Sequence, residues 1–238
     1  MGFKCYCLFV GDIENGYFGT GPQHSPEKAR QILKKLGYDP HIQGKGYNAE
    51  IYPRKRNQIV IGAFDNGAFI ATEKIMDELE THEDKLLRQA MSCYPGGNLL
   101  ALGLHSVTGF AAFNYYRNGE LIRAFAGDGE VDIIHENGNR MPEEERVYAN
   151  SFEKDGSLVF PREISGKIEE FPLCAIAEEI IFALGARPLG MPLDEMPEDV
   201  FETELFDLTN QTTSIKPSNK QTTAPESQKQ AKPFWKFW

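Results

Sequence analysis

Tryptophan is almost missing from this 238-residue chain, and the two it has, Trp235 and Trp238, fall in the last four positions. Cysteine is scarce as well. Cys5, Cys7, Cys93 and Cys174 contain no Cys-x-x-Cys pair, and no secretory signal precedes them. That argues against a disulfide framework or a zinc ribbon and for a reducing, cytoplasmic setting. No apolar run approaches the roughly 20 residues that span a bilayer, so the body is expected to be soluble. Met1-Gly2 would suit myristoylation, but Tyr6 stands where that signal needs Ser or Thr. The motifs Gly-x-Gly-x-x-Gly, Gly-Lys-Ser/Thr and Gly-x-Ser-x-Gly are all lacking. No cofactor and no metal site are expected on these grounds.

Positive charge is short too, and unevenly placed. The net charge is -10. Residues 209–238 hold five lysines and one acid, Glu226, so that segment carries +4 and residues 1–208 carry -14. A folded part this acidic repels phosphate backbones, which excludes nucleic acid as an expected partner. The one basic cluster, Arg54-Lys55-Arg56 after Pro53, reads as a solvated turn.

What is present is a mixture of strand and helix signals. The stretch "FKCYCLFVGD" predicts a buried strand over 3–10 that ends at Gly11-Asp12, with Cys5 and Cys7 on one face as small buried hydrophobes. A glycine-rich loop follows. Ser25 then caps a helix with Pro26 in its first turn and Ala29, Ile32, Leu33 and Leu36 along its apolar face. Asn66-Gly67 and Asn118-Gly119 predict two hairpins with type I′ turns. The first sets Phe64 opposite Phe69 and Ala63 opposite Ile70; the second sets Arg117, Tyr116 and Tyr115 opposite Glu120, Leu121 and Ile122. Between them, Ile75, Leu79, Leu86 and Ala90 mark one amphipathic helix that ends at Pro95-Gly96-Gly97, before the apolar strand 98–107. Asp155-Gly156 predicts a further hairpin, and residues 171–185 predict an apolar helix closed by Gly185. The fold class expected is α+β: one domain over 1–208, with a mainly antiparallel sheet, hairpins and about three helices packed on it. From 209 to 231 the chain is Thr, Gln, Ser, Lys, Asn and Pro with one branched aliphatic, Ile215. Such a composition predicts a disordered linker with a span of about 25 Å.

At "LHSVTGFAAFNYYRNGELIRAF" and "DIIHENGNRMPEEERVY" the sequence resembles an uncharacterised family of bacterial proteins, a domain of unknown function. His105, Ser106 and Val107 match its His-Ser-Val segment. Asn118 and Gly119 match its hairpin turn, and Asp132, Ile133, Glu136, Gly138 and Pro142 match a following Asp-Ile-x-Glu-type segment. The resemblance covers about residues 1–150. It implies a bacterial, intracellular origin and no activity.

Two sets of residues offer chemistry. Asp12 and Glu14 follow the first strand and His105 with Ser106 closes another. If those strands were neighbours, the two carboxylates and the imidazole could hold a divalent metal or perform acid-base hydrolysis, with Ser106 as a candidate nucleophile. The simpler alternative is that these groups solvate a loop and a strand end. The other set is the tip 232–238, "KPFWKFW". Trp is the residue type most enriched at binding hot spots. The tip therefore points to a binding module that recruits a protein partner, with Trp235 and Trp238 as anchors, Phe234 and Phe237 beside them, and Lys232 and Lys236 steering. A membrane surface is a weaker fit, with only two charges in seven residues. An acidic immunity-type inhibitor is a third reading. The balance leans against an enzyme, and the sequence leaves the oligomeric state open.

Overall fold

The opening apolar run lies at the centre of the molecule. In the computed structural model, which describes residues 2–208 other than 40, 41, 48–50, 54, 82, 130 and 131, it forms strand β1 (Lys4–Gly11). Side chains alternate across a strand. Cys5, Cys7 and Phe9 therefore enter one core, and Tyr6, Leu8 and Val10 another. Burial on both faces is why the run reads as continuously apolar.

Around it the chain places α1 (Pro26–Lys35), β2 (Ile42–Tyr47), β3 (Gln58–Ala63), β4 (Gly67–Ala71), α2 (Glu73–Thr81), α3 (Lys85–Met91) and β5 (Asn98–His105). There follow β6 (Phe110–Arg117), β7 (Glu120–Asp128), β8 (Asp132–Asn137), α4 (Pro142–Tyr148) and the hairpin strands β9 (Phe152–Lys154), β10 (Ser157–Ile164) and β11 (Lys167–Pro172). Last come α5 (Leu173–Leu189) and β12 (Glu202–Asp207). Nine strands pair in the order β2-β12-β3-β4-β1-β5-β6-β7-β8, and β9 to β11 form a second, three-stranded sheet. Every adjacent pair is antiparallel. One face of the large sheet carries α1, α2 and α3; the other carries α5, with α4 beside it. Among the described residues no helix is long and apolar enough to cross a membrane.

The α+β class and antiparallel sheet agree with the sequence pattern, but the described residues form five α-helices rather than about three. The predicted single helix over 72–91 is two, because the chain breaks before Asp84. The Glu78 carboxylate accepts the N–H groups of Leu86 (2.6 Å) and Leu87 (3.2 Å), two donors that the first turn of α3 would otherwise leave free. Helix α5 does not stop at Gly185. It runs to Leu189 and closes at Gly190, which has φ +74°. Gly185 serves a close approach instead, since a Cβ there would lie 2.7 Å from that of Leu193.

Both hairpin registers need correction as well. Ala63 pairs with Ala68 and Gly62 with Phe69, so the first turn centres on Asp65-Asn66. Gly67 is needed within the sheet: it pairs with Gly11, and a Cβ on it would meet the Val10 carbonyl at 2.7 Å. In the second hairpin Asn118 and Gly119 do adopt φ +51° and +84°, as a type I′ turn requires. Arg117 faces Glu120 and Tyr116 faces Leu121, but a bulge then sets Tyr115 opposite Arg123. Ile122 is pushed toward solvent and Arg123 is buried.

The expected linker 209–231 and the tip, with Lys232, Phe234, Trp235, Lys236, Phe237 and Trp238, lie outside the described residues. So does Arg54.

Candidate functional site

Three loops meet at one end of the large sheet. β1 stops at Gly11, and the Asp12 N–H donates to the Asn66 carbonyl (2.7 Å), tying that strand end to the β3–β4 turn. Pro95-Gly96-Gly97 leads into β5, and Asn118 at the β6–β7 turn donates its N–H to Asn98 Oδ1 (3.4 Å). Lys28, Gln31 and Lys35 occur at the three- and four-residue spacing that sets them along one side of α1. These parts enclose an open cleft of about 800 Å³, lined among others by Asp12, Lys28, Lys35, Asp65, Gly96 and Arg117. Lys28 pairs with Asp65 at 2.6 Å.

A polar network supports the Arg117 side of this cleft. Tyr115, fully buried, donates its hydroxyl to Glu14 Oε1 at 2.8 Å. Burial above all, with Glu14 adding, pushes the Tyr115 phenol above its ordinary range. Arg187 from the last turn of α5 donates to Glu14 (3.2 Å) and reaches Glu143 on α4 with two nitrogens, at 2.8 and 3.1 Å. Its guanidinium lies 5.3 Å from the Tyr115 ring centre, and that of Arg117 lies 5.7 Å from it. Arg117 Nε also donates to the Tyr115 hydroxyl (3.4 Å). Tyr115 is thus held by a carboxylate and two guanidinium groups.

The sequence-predicted residues divide between the two sheet ends. Asp12 lies exposed in the cleft lining and Glu14 belongs to the network. Strands 3–10 and 99–107 do pair, but antiparallel: Gly11 stands opposite Asn98, while His105 stands opposite Lys4. Seven residue steps at ~3.3 Å separate His105 from the Asp12 end by about 23 Å. The structure therefore does not bring His105 together with Asp12 and Glu14. Burial and then Lys4 lower the His105 pKa, and Thr108 Oγ1 lies 3.2 Å from its Nδ1. The Ser106 hydroxyl accepts from Phe3 N (2.7 Å) and donates to Phe3 O (3.1 Å), so it holds the N-terminal segment in place. Among the described residues no three His, Cys, Asp or Glu side chains converge as metal ligands. Cys93, in the cleft lining, has its thiol pushed up by burial; thiolate chemistry is disfavoured there.

Sequence reasoning missed Lys28, Lys35, Arg117, Tyr115 and Arg187. The spacing of Lys28, Gln31 and Lys35 on a capped helix was a readable signal. Nothing in the sequence connects Arg187 with Glu14.

A second cavity, of about 770 Å³, opens at the His105 end between Phe3, Ser106, Val107, Glu178, Phe182 and Asp194.

Comparison with known families identifies one match, to a family of unknown function (DUF6928), over residues 6–158. The stretch runs slightly past the expected limit of 150 and includes the cleft lining and Glu14, but not Arg187. No curated protein and no solved structure matches the chain. Since the match covers more than half its length, the chain belongs to that family of unknown function.

Proposed function

We propose that this member of the family is a cytoplasmic binding module, without catalytic chemistry of its own, that reaches a protein partner through segment 232–238. The observation that carries the proposal is the contrast between residues 1–208, which carry -14, and segment 209–238, which carries +4 and holds four large aromatics in its last five positions. Leu208 donates its N–H to the Asn57 carbonyl (2.7 Å) just after β12. Asp207 stands opposite Gln58, at the far end of β3 from the turn that lines the cleft. The thirty residues 209–238 are otherwise mostly polar, with one branched aliphatic, Ile215.

The catalytic candidates add support by what they already do. Ser106 is bonded to backbone, Glu14 is engaged with Tyr115 and Arg187, and His105 stands at the other sheet end. In the proposed role Trp235 and Trp238 enter pockets on the partner, Phe234 and Phe237 flank them, and Lys232 and Lys236 steer the approach. Burial of one such aromatic contributes roughly 1.5–3 kcal/mol. After ordering costs, four of them suffice for micromolar docking. The test is transplantation: residues 209–238 fused to a fluorescent carrier should bind the partner that the parent binds, and a synthetic 232–238 peptide should displace both. A carrier that binds nothing the parent binds, or that goes only to lipid vesicles, would falsify the protein-partner role.

A further inference from the structure

We infer that the cleft between α1 and the β6–β7 turn binds a small organic dianion, a phosphate monoester or a dicarboxylate. The first argument is charge. Residues 1–208 carry -14, yet Lys28, Lys35 and Arg117 all line this one cleft. Lys28 is neutralised by Asp65. Lys35 and Arg117 form no ion pair among the described residues, and Arg117 is engaged only with Tyr115. The lining is net +1, three cations against Asp12 and Asp65, and the two cations outside any ion pair can each engage one charge of a dianion.

The second argument is preorganisation. The guanidinium of Arg117 rests near the ring of a buried tyrosine that Glu14 and Arg187 fix in place, so little ordering remains for the ligand to impose on that side. The third is shape. Gly96 has φ +80° and open space where a Cβ would stand, whereas a Cβ on Gly97 would lie 2.7 Å from Gly11 Cα. The rim is therefore bare backbone, which allows close approach. A volume of about 800 Å³ suits a metabolite rather than a lone ion. The carboxamides of Gln31, Asn66, Asn98 and Asn118 also line the cleft and offer both donors and acceptors to hydroxyl or carbonyl groups. Asp12, exposed in the same lining, sets an upper limit by repelling more highly charged polyphosphates and nucleic acid. The site is made by the side of α1, not by its N-terminus.

The experiment is an NMR titration of the isotope-labelled full chain with inorganic phosphate and, separately, succinate, at constant ionic strength. Saturable shifts are expected at the amides of Gly96, Gly97, Asn98 and Asn118 with at least one probe, and the tighter probe identifies the anionic group. Lys35→Gln with Arg117→Gln should weaken binding about tenfold, as loss of charge-assisted contacts implies. Lys154→Gln, on the separate three-stranded sheet, should leave it unchanged. Lys35 and Arg117 are exposed, and the spectrum itself reports whether the variant is folded; Lys35→Glu alone provides a second reading. Shifts that fail to saturate with both probes, or an affinity unchanged in the double variant, overturn the inference. Trp235→Ala with Trp238→Ala should not affect either titration, so failure here leaves the recruitment proposal standing.

Discussion

Replacing Arg123 by methionine should break a buried ion pair between the large sheet and α4, and the size of the loss follows from the surroundings. Arg123 is 1% exposed and Glu144 is fully buried. The guanidinium meets Glu144 through Nη2 (2.7 Å) and Nε (3.1 and 3.2 Å), Glu136 through Nη2 (3.1 Å), and the carbonyls of Asn137 (3.3 Å) and Gly138 (3.1 Å) through Nη1. Removing it leaves an ionised carboxylate in the core without its counter-charge, a change that costs about 3–5 kcal/mol. For a domain of this size that corresponds to a fall in Tm of about 6–20 °C. Arg123→Met with Glu144→Met removes both charges and keeps the volume, so it should recover part of the loss. What remains is about 1–3 kcal/mol, for the bond that the Met141 N–H donates to Glu144 (2.7 Å) and for the donors that the Asn137 and Gly138 carbonyls and Glu136 lose. Urea denaturation of parent, single and double variants measures all three. A single variant that costs under about 1 kcal/mol, or a double variant as unstable as the single, would refute the idea that the pair is stable only as a pair.

Three further expectations follow. Burial raises the carboxyl groups of Glu73, Glu78 and Glu178 above the ordinary range. The folded state therefore binds their protons more tightly, and stability should rise as pH falls from 7 toward 4.5. His105 is shifted down and opposes this below about pH 6.5, so His105→Gln should show the larger rise in thermal scans; a fall in both proteins would contradict the assignment. Gly119→Val forces a β-branched residue to φ +84° in the β6–β7 turn and should cost about 1–3 kcal/mol in denaturant titrations. Gly97→Ala would drive its Cβ into Gly11 Cα at 2.7 Å. It should shift the amide signals of Gly11, Asp12 and Asn98 more than those of β9 to β11.

How far the sequence could be read depended on whether each signal was local. The Ser25 cap, with Lys28 N–H on its Oγ at 3.4 Å, and the Asn118-Gly119 turn come from neighbouring residues, and both form as the pattern implied. Errors arose wherever a distant contact decided the outcome. Gly67 looked like a turn residue, but packing against Val10 and Phe18 claims it for the sheet. Gly185 looked like a helix end, but it admits Leu193. β12 inserts between β2 and β3 from more than 130 residues away, and no periodicity in "ETELFD" announces that. The cleft shows the same division. Asp12 and Glu14 were legible because carboxylates after a buried strand stand at a sheet end. The partners of Glu14, Tyr115 and Arg187, come from elements 101 and 173 residues away, so only the fold reveals them.

The central claim is recruitment through the aromatic segment, and one comparison addresses it most directly. The full chain and its Trp235→Ala, Trp238→Ala variant would be used to capture partners from lysate of the protein's own organism, with identification by mass spectrometry and competition by the 232–238 peptide. The account predicts one protein retained by the parent, lost in the variant and displaced by the peptide. The same proteins retained by both, and unmoved by the peptide, would contradict it.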